Sequence, residues 1–350
     1  MHTDPSARCS DSTADSNGPA PLDRTATASD ARQRPGDPAH LRTVCLLCQH
    51  AVDPADEAAF VTMPCHVRAF WGETFRVWRC PGCRTIHCLE VVDLNRYYAA
   101  YPFAKASLTW PFRIFYRNLC RRLTQFGFTP DHSLLDYGCG NGLFVEYLRG
   151  RGFKHCHGYD PYGARGGYGD PAGLACGPFD YILLQDVLEH VEDPNELLQE
   201  MDRHLRPGGY ILVGTPNADS IDLRRTAEFW NEIHVPYHLH IFTREAVESM
   251  GRQRGWAPVG FFDRPYSDRP WFGLNTRAAK VYQRLVGGTM DAVLEPLRLR
   301  TALGSPTFLY YAVFGYWLSF HSDMAVTFRK NRPSTGHNER PDPSERTNAT

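Results

Sequence analysis

Leu134-Leu135-Asp136-Tyr137-Gly138-Cys139-Gly140-Asn141-Gly142 is an apolar run that closes on an acid and three glycines at alternate positions. A buried strand passes into a ligand loop in this way, because glycine adopts positive φ and lets the backbone approach a bound molecule closely. In the dinucleotide turn G-x-G-x-x-G the third glycine comes one residue later, where this chain has Leu143. The spacing points away from a nicotinamide cofactor and toward another nucleoside ligand.

Beyond the glycine loop the chain keeps α/β spacing. Leu143, Phe144, Tyr147 and Leu148 recur at helical intervals and bury one face of a helix, which Gly150 and Gly152 end. His155 to Asp160 reads as a second strand closing on an acid 18 residues after Gly142, where a ribose needs an acceptor pair. Phe179 to Leu184 is nearly all apolar, as a central parallel strand covered on both faces must be. It delivers Gln185-Asp186-Val187-Leu188-Glu189-His190 to the carboxyl edge. Asp193-Pro194-Asn195-Glu196 starts a helix with a capping acid, a first-position proline and a glutamate three residues after the cap. Leu197, Leu198, Met201 and Leu205 form its stripe, and Arg206-Pro207-Gly208-Gly209 stops it. Tyr210 to Val213 is then a strand ending at Gly214-Thr215-Pro216-Asn217.

This order, with Pro236-Tyr237-His238-Leu239-His240-Ile241-Phe242-Thr243 after the fifth strand, resembles the class I S-adenosylmethionine (SAM) methyltransferases over about residues 85–330. The resemblance implies an α/β, Rossmann-like sheet, mostly parallel with an antiparallel last strand, and SAM as cofactor. By it Asp136 meets the amino-acid end of SAM, and Gly138, Gly140 and Gly142 form the loop. Asp160 takes the ribose, and Asp186 and Val187 complete the cofactor-binding set. The family fits a helix and a third strand before Phe179, but this interval is 18 residues long. A vestigial third strand is expected, with Asp170 standing in for the adenine contact.

Methyl transfer from a sulfonium needs mainly in-line alignment. An oxygen acceptor of high pKa also needs a base, commonly histidine. His234, His238 and His240 come after the fifth strand at the expected cleft edge and are the candidate catalytic bases, with His238 at the family's P-x-H position. Glu189 and His190 are expected to order the turn after Gln185.

A length of 350 residues and a 42% hydrophobic composition suit one substantial domain with appendages. The formal charge of −1 supplies no field for nucleic acid, and the Asp/Asn-Pro-Pro-aromatic segment of base methylation is absent after Leu184. Residues 1–40 lack Val, Ile, Phe, Trp and Tyr, and are expected to be a disordered tail, as are residues 331–350. No apolar stretch succeeds basic residues near the amino terminus, so a cytoplasmic protein is expected.

Cys45-Leu46-Leu47-Cys48 and Cys80-Pro81-Gly82-Cys83 are two knuckles 31 residues apart, the pattern of a structural four-cysteine zinc site. His50, Cys65, His66, His87 and Cys88 are alternative donors. Residues 41–92 then form a zinc ribbon, residues 93–130 a helical cap or linker, and residues 131–330 the methyltransferase domain. In the family resembled, such a ribbon and a tyrosine-rich stretch like Tyr97 to Tyr101 precede the methyltransferase domain.

Leu108 to Leu123 alternates aromatic residues with arginines and reads as an amphipathic helix over the cleft. Thr243 is a helix cap, and Pro258–Phe262 and Met324–Phe328 are strands. Residues 264–320 between them are an insertion on the acceptor side. Within it, residues 301–322 carry no charge but are broken by Gly304, Ser305 and Pro306, so a core or lid segment is expected, with peripheral contact at the inner membrane face through 301–320 as the competing reading. The expected activity is O-methylation of a small-molecule, glycan or lipid-linked acceptor. A nucleic-acid methyltransferase and a catalytically silent partner protein are the alternatives.

Overall fold

The computed structural model describes residues 41–162, 168–266, 268–319 and 321–332. The expected tail 1–40 and residues 333–350 of the second tail lie outside them. The chain begins with β1 (Val61–Pro64), β2 (Thr74–Arg79) and β3 (Ile86–Cys88), followed by α1 (Leu94–Tyr98) and α2 (Trp110–Thr124). Next come β4 (Leu134–Tyr137), α3 (Leu143–Arg149), β5 (Cys156–Tyr159), α4 (Ala172–Ala175), β6 (Phe179–Gln185), α5 (Pro194–His204) and β7 (Leu205–Pro216). After α6 (Trp230–Ile233), β8 (His240–Ile241), α7 (Arg244–Arg252) and β9 (Trp256–Phe262), the insertion supplies α8 (Thr276–Leu285), α9 (Leu299–Leu303) and α10 (Pro306–Phe314). β10 (Asp323–Lys330) closes the fold.

Six strands form the main sheet in the order β5-β4-β6-β7-β10-β9. The pairs β4/β5, β4/β6 and β6/β7 are parallel, and β10 is antiparallel to both β7 and β9. This is the mostly parallel sheet with an antiparallel strand that the resemblance implies. Among the described residues only α4 stands between β5 and β6, so β5 is the sheet edge. Asp170, exposed before α4, accepts from Ala172 N–H through Oδ1 at 2.9 Å.

Both faces of the sheet are covered. Leu197, Leu198 and Met201 of α5 and Val247 and Met250 of α7 pack with Ile182 and Leu184 on one side. Leu119 and Leu123 of α2 and Phe144 and Leu148 of α3 pack with Leu183 on the other. Each such side chain, fully buried, contributes about 1.5–3 kcal/mol. The caps act as their residue types predict: Asp193 accepts from Asn195 and Glu196 N–H, and Thr243 from Ala246 N–H. Leu205, expected in the stripe of α5, instead opens β7 opposite Phe179. The helix ends one residue earlier because Leu205 has extended backbone and pairs with the sheet.

The second sheet, β1-β2-β3-β8, is finished by a strand from the P-x-H-L segment, with Ile86 opposite Ile241 and His87 opposite His240. Met63, Val67, Phe75 and Ile86 share one core with Ile221, Phe229, Ile233 and Tyr237. The amino-terminal sheet is therefore welded to the methyltransferase part by a common strand and core. Among the described residues no helix is long and apolar enough to cross a membrane.

Candidate functional site

The glycine loop lies at the carboxyl end of β4. Gly138 has φ +77°, and a Cβ there would stand 2.4 Å from Val187 Cγ2, so only glycine lets the loop close on the residue after Asp186. Gly142, at φ +75°, opens α3 beneath the ring of Tyr168. Gly140 N–H donates to Asp160 Oδ2 at 2.7 Å, and Tyr162 N–H donates to Asp160 Oδ1 at 2.7 Å. Each Asp160 oxygen keeps a further lone pair.

Three carboxylates gather where β4, β5 and β6 end. Asp136 is buried, and burial, then the charge of Asp160, push its carboxyl up to about 8. Asp186 has φ +55°, a conformation rare outside glycine, and its N–H donates to Gly214 O at 2.9 Å. Asp186 is exposed at the cleft mouth, yet desolvation by the groups packed around it pushes its carboxyl up to about 6, while the hydrogen bond from Gln185 Nε2 opposes the rise. Among the described residues no ion pair reaches Asp136, Asp160 or Asp186. Carboxyls crowded together without a cation fit a ligand bearing ammonium and sulfonium charges.

Beside Asp186 lies a cavity of about 50 Å³, with Phe115 of α2, Thr215 of β7, Arg264 and Tyr266 of the insertion and Asp323 of β10 in its wall. Asn118 Nδ2 donates to Tyr266 O at 2.7 Å, and the Phe115 and Tyr266 rings meet edge to face at 5.4 Å. These contacts hold the entry of the insertion over the end of β6.

The three histidines have separate placements. His238 is buried, its Nδ1 on Glu232 O at 2.7 Å and its ring 4.7 Å from that of His190. His234, at φ +34°, stacks on Tyr237 at 4.7 Å, and neither ring nitrogen has a partner among the described residues. His240 departs from its expected place at the cleft edge. It is buried in the seam between the two sheets, with Nδ1 2.9 Å from His87 Nδ1, because β8 pairs it with β3. Burial holds all three imidazoles below their ordinary value, His238 at about 4.

Two further groups join the site. Tyr98, inside the tyrosine-rich stretch, places its hydroxyl 3.0 Å from His190 Nδ1 and stacks on Tyr162 at 4.6 Å, which ties α1 to the loop after Asp160. Glu189 is fully buried, with Oε2 accepting from Thr215 Oγ1 at 2.9 Å and Oε1 without a partner among the described residues. Glu189, His190 and His238 each bring a potential ligand atom within 4.8 Å of the others.

The four knuckle cysteines form the other donor set, their sulfurs mutually within 4.8 Å. Cys45 and Cys83 are 3.4 Å apart and Cys48 and Cys80 3.3 Å, close to the edge of about 3.8 Å in a tetrahedron of 2.3 Å bonds. The knuckles are near copies. Gln49 N–H donates to Cys45 O and Arg84 N–H to Cys80 O, both at 2.9 Å, and Gln49 and Arg84 both take left-handed φ, +60° and +63°. The alternative donors His50, Cys65, His66, His87 and Cys88 stand outside this cluster.

Residues 112–259 match a family described as a methyltransferase domain. The ubiquinone biosynthesis O-methyltransferase of Caulobacter vibrioides is 35% identical over 107 residues, 24% of this chain and 41% of that one. The protein of the same name from Maricaulis maris is 28% identical over 189 residues, 45% of this chain and 74% of that one. The chain spans less than half the length of the Caulobacter relative. Among solved structures, a putative sarcosine dimethylglycine methyltransferase from Galdieria sulphuraria covers 63% of this chain and 86% of its own at 20% identity, with a TM-score of 0.39. Across residues 112–259, then, this chain is similar to a methyltransferase domain.

Proposed function

We propose that the protein is a cytoplasmic, SAM-dependent O-methyltransferase of a saccharide, lipid-linked or secondary-metabolite hydroxyl, with a structural zinc in its ribbon. The observation that carries this is the set of carboxylates at Asp136, Asp160 and Asp186 around the glycine loop, with no described cation to neutralise them. The relatives named as O-methyltransferases support the oxygen acceptor. SAM supplies an activated methyl group on a sulfonium. Asp136 would take its ammonium, Asp160 its ribose, and Gly138 and Val187 would shape the floor beneath it. Phe115, Arg264 and Tyr266 would wall the acceptor side next to Asp186. His238 and His234 are the candidates for holding the acceptor's proton, and His240 in its seam has no such part. Cys45, Cys48, Cys80 and Cys83 would hold the zinc as four thiolates, leaving the ion a purely structural role.

One reading competes on a specific observation. The lack of a third strand among the described residues and the engagement of both Asp160 oxygens by backbone amides favour a silent protein that keeps the fold. SAM binding separates the two. In the free protein the Asp136 carboxyl, raised to about 8, is protonated at neutral pH. A cationic ligand favours the carboxylate, so binding must expel that proton. Affinity should therefore rise between pH 6 and pH 8. Calorimetry at pH 7 in buffers of different ionisation enthalpy should show up to about one proton released per SAM. Binding heats independent of the buffer would refute this assignment of Asp136.

A further inference from the structure

The insertion turns an apolar face to solvent. α10 contains no charged residue, and of its nine residues only Phe308 and Ala312 are buried. A helix apolar on all sides belongs inside a protein or against lipid, not half in water. Trp317 is 65% exposed, Phe272 59% and Leu299 58%, with Leu303, Trp271 and Phe314 close behind. α9 and the turn after α10 both pack against α10. Gly273 N–H donates to Ala312 O at 3.0 Å, which sets Trp271 and Phe272 beside α10. Arg277 Nε donates to Leu318 O at 2.6 Å and holds the turn after α10 against α8.

Charge is segregated onto the same region. Of the chain's 38 Lys/Arg and 39 Asp/Glu, residues 103–130 and 264–319 together hold twelve and three. The protein is nearly neutral, yet by sequence these stretches carry net positive charge and the remainder net negative. Lys280 and Arg277 are paired with Glu232 and Glu228, which leaves Arg113, Arg121 and Arg300 among the exposed cations of these stretches. Arg117 of α2 lies over the Trp271 ring at 5.9 Å, which joins the two stretches. Arg298 and Arg300 are exposed at the start of α9, Arg298 with Nη2 3.3 Å from Glu295 Oε2.

We propose that this face docks on an anionic lipid bilayer. α9, α10 and the following turn would lie in the interface with their leucine and aromatic side chains among the acyl chains. Arg298, Arg300 and the arginines of α2 would meet the headgroups. Tryptophan and tyrosine suit that depth, because their rings combine an apolar body with a polar group. A second copy of this chain would set these arginines against one another, whereas an anionic lipid surface pairs with them and takes up the uncharged helix. Phe115 of α2 and Arg264 and Tyr266 of the insertion also wall the cavity at Asp186, so an acceptor resident in the bilayer would enter the cleft from this side. That last step rests on the proposed methyl transfer; the docking itself does not.

Sedimentation with phosphatidylcholine vesicles, with and without phosphatidylglycerol, tests the proposal. The protein is expected to sediment with the anionic vesicles, at least about tenfold less with phosphatidylcholine alone, and to be released by about 0.5 M salt. Phe314→Ser with Trp317→Ser should lower partitioning about tenfold. Arg298→Gln and Arg300→Gln should each lower it about fivefold at low salt. Circular dichroism melting of the variants checks that they fold. No sedimentation of the unaltered protein, equal sedimentation of folded variants, or a dimer that Phe314→Ser/Trp317→Ser splits would each overturn the proposal. Vesicle binding needs no SAM, so its failure leaves the SAM site standing, and the reverse also holds.

Discussion

A protein carrying Cys80→Ser and Cys83→Ser should purify without zinc and unfold at a temperature at least about 10 °C lower. Two of the four thiolates are lost, and the remaining pair cannot close a tetrahedron. The effect should reach well beyond the knuckles. Cys80 ends the strand region that begins at Thr74, and the sheet it anchors is completed by His240–Ile241 of the methyltransferase part. Loosening the knuckle frees the core in which Phe75 and Ile86 pack on Phe229, Ile233 and Tyr237. Metal analysis together with thermal unfolding measures both consequences. Full zinc occupancy in the double variant, or an unchanged melting temperature, would show that the four cysteines neither hold the metal nor support the seam.

Asp136→Asn should stabilise the free protein while weakening SAM about a hundredfold. The raised Asp136 carboxyl favours the folded state only where the unfolded chain is also protonated, below its ordinary value of 3.8. Stability is then lost progressively as pH rises from about 4 through about 8. At pH 7 the deficit amounts to about 2–4 kcal/mol. Asparagine keeps the shape without the titration, so the variant should melt higher than the unaltered protein at pH 8 and nearly alike at pH 4. The loss of SAM affinity comes from removing a buried charge-assisted partner of the ammonium. A variant less stable at pH 8 would mean that the carboxylate is stabilised in the fold by contacts other than a ligand.

The local parts of this structure were legible from residues alone. Asp136 to Gly142 declare themselves because a loop built on positive φ needs glycine wherever it occurs. Asp193 and Thr243 declare helix starts because capping is a contact within four residues. The cysteine knuckles were legible for the same reason. His240 was not. Its partner His87 lies 153 residues away, and nothing in P-x-H-L-x-x-F-T says that the second histidine will become a strand of the ribbon sheet. Leu205 kept the period of α5, but pairing with Phe179 outweighed periodicity. Residues 301–322 read as an uncharged run, yet which of them meet solvent depends on how α8 and α10 pack through Ala278, Phe308 and Ala312. The same limit hid the part of Tyr98, since its contact with His190 spans 92 residues.

SAM binding at the carboxyl edge of the sheet, through the glycine loop and its carboxylates, is the claim on which the proposed activity stands. Calorimetric titration of SAM into the unaltered protein and into Asp160→Ala tests it most directly. One site per chain is expected, with an affinity at least about tenfold weaker in the variant, which lacks the ribose acceptor and the anchor of Gly140 N–H. Equal affinities for the two proteins, or no binding by the unaltered protein at millimolar SAM, would contradict it.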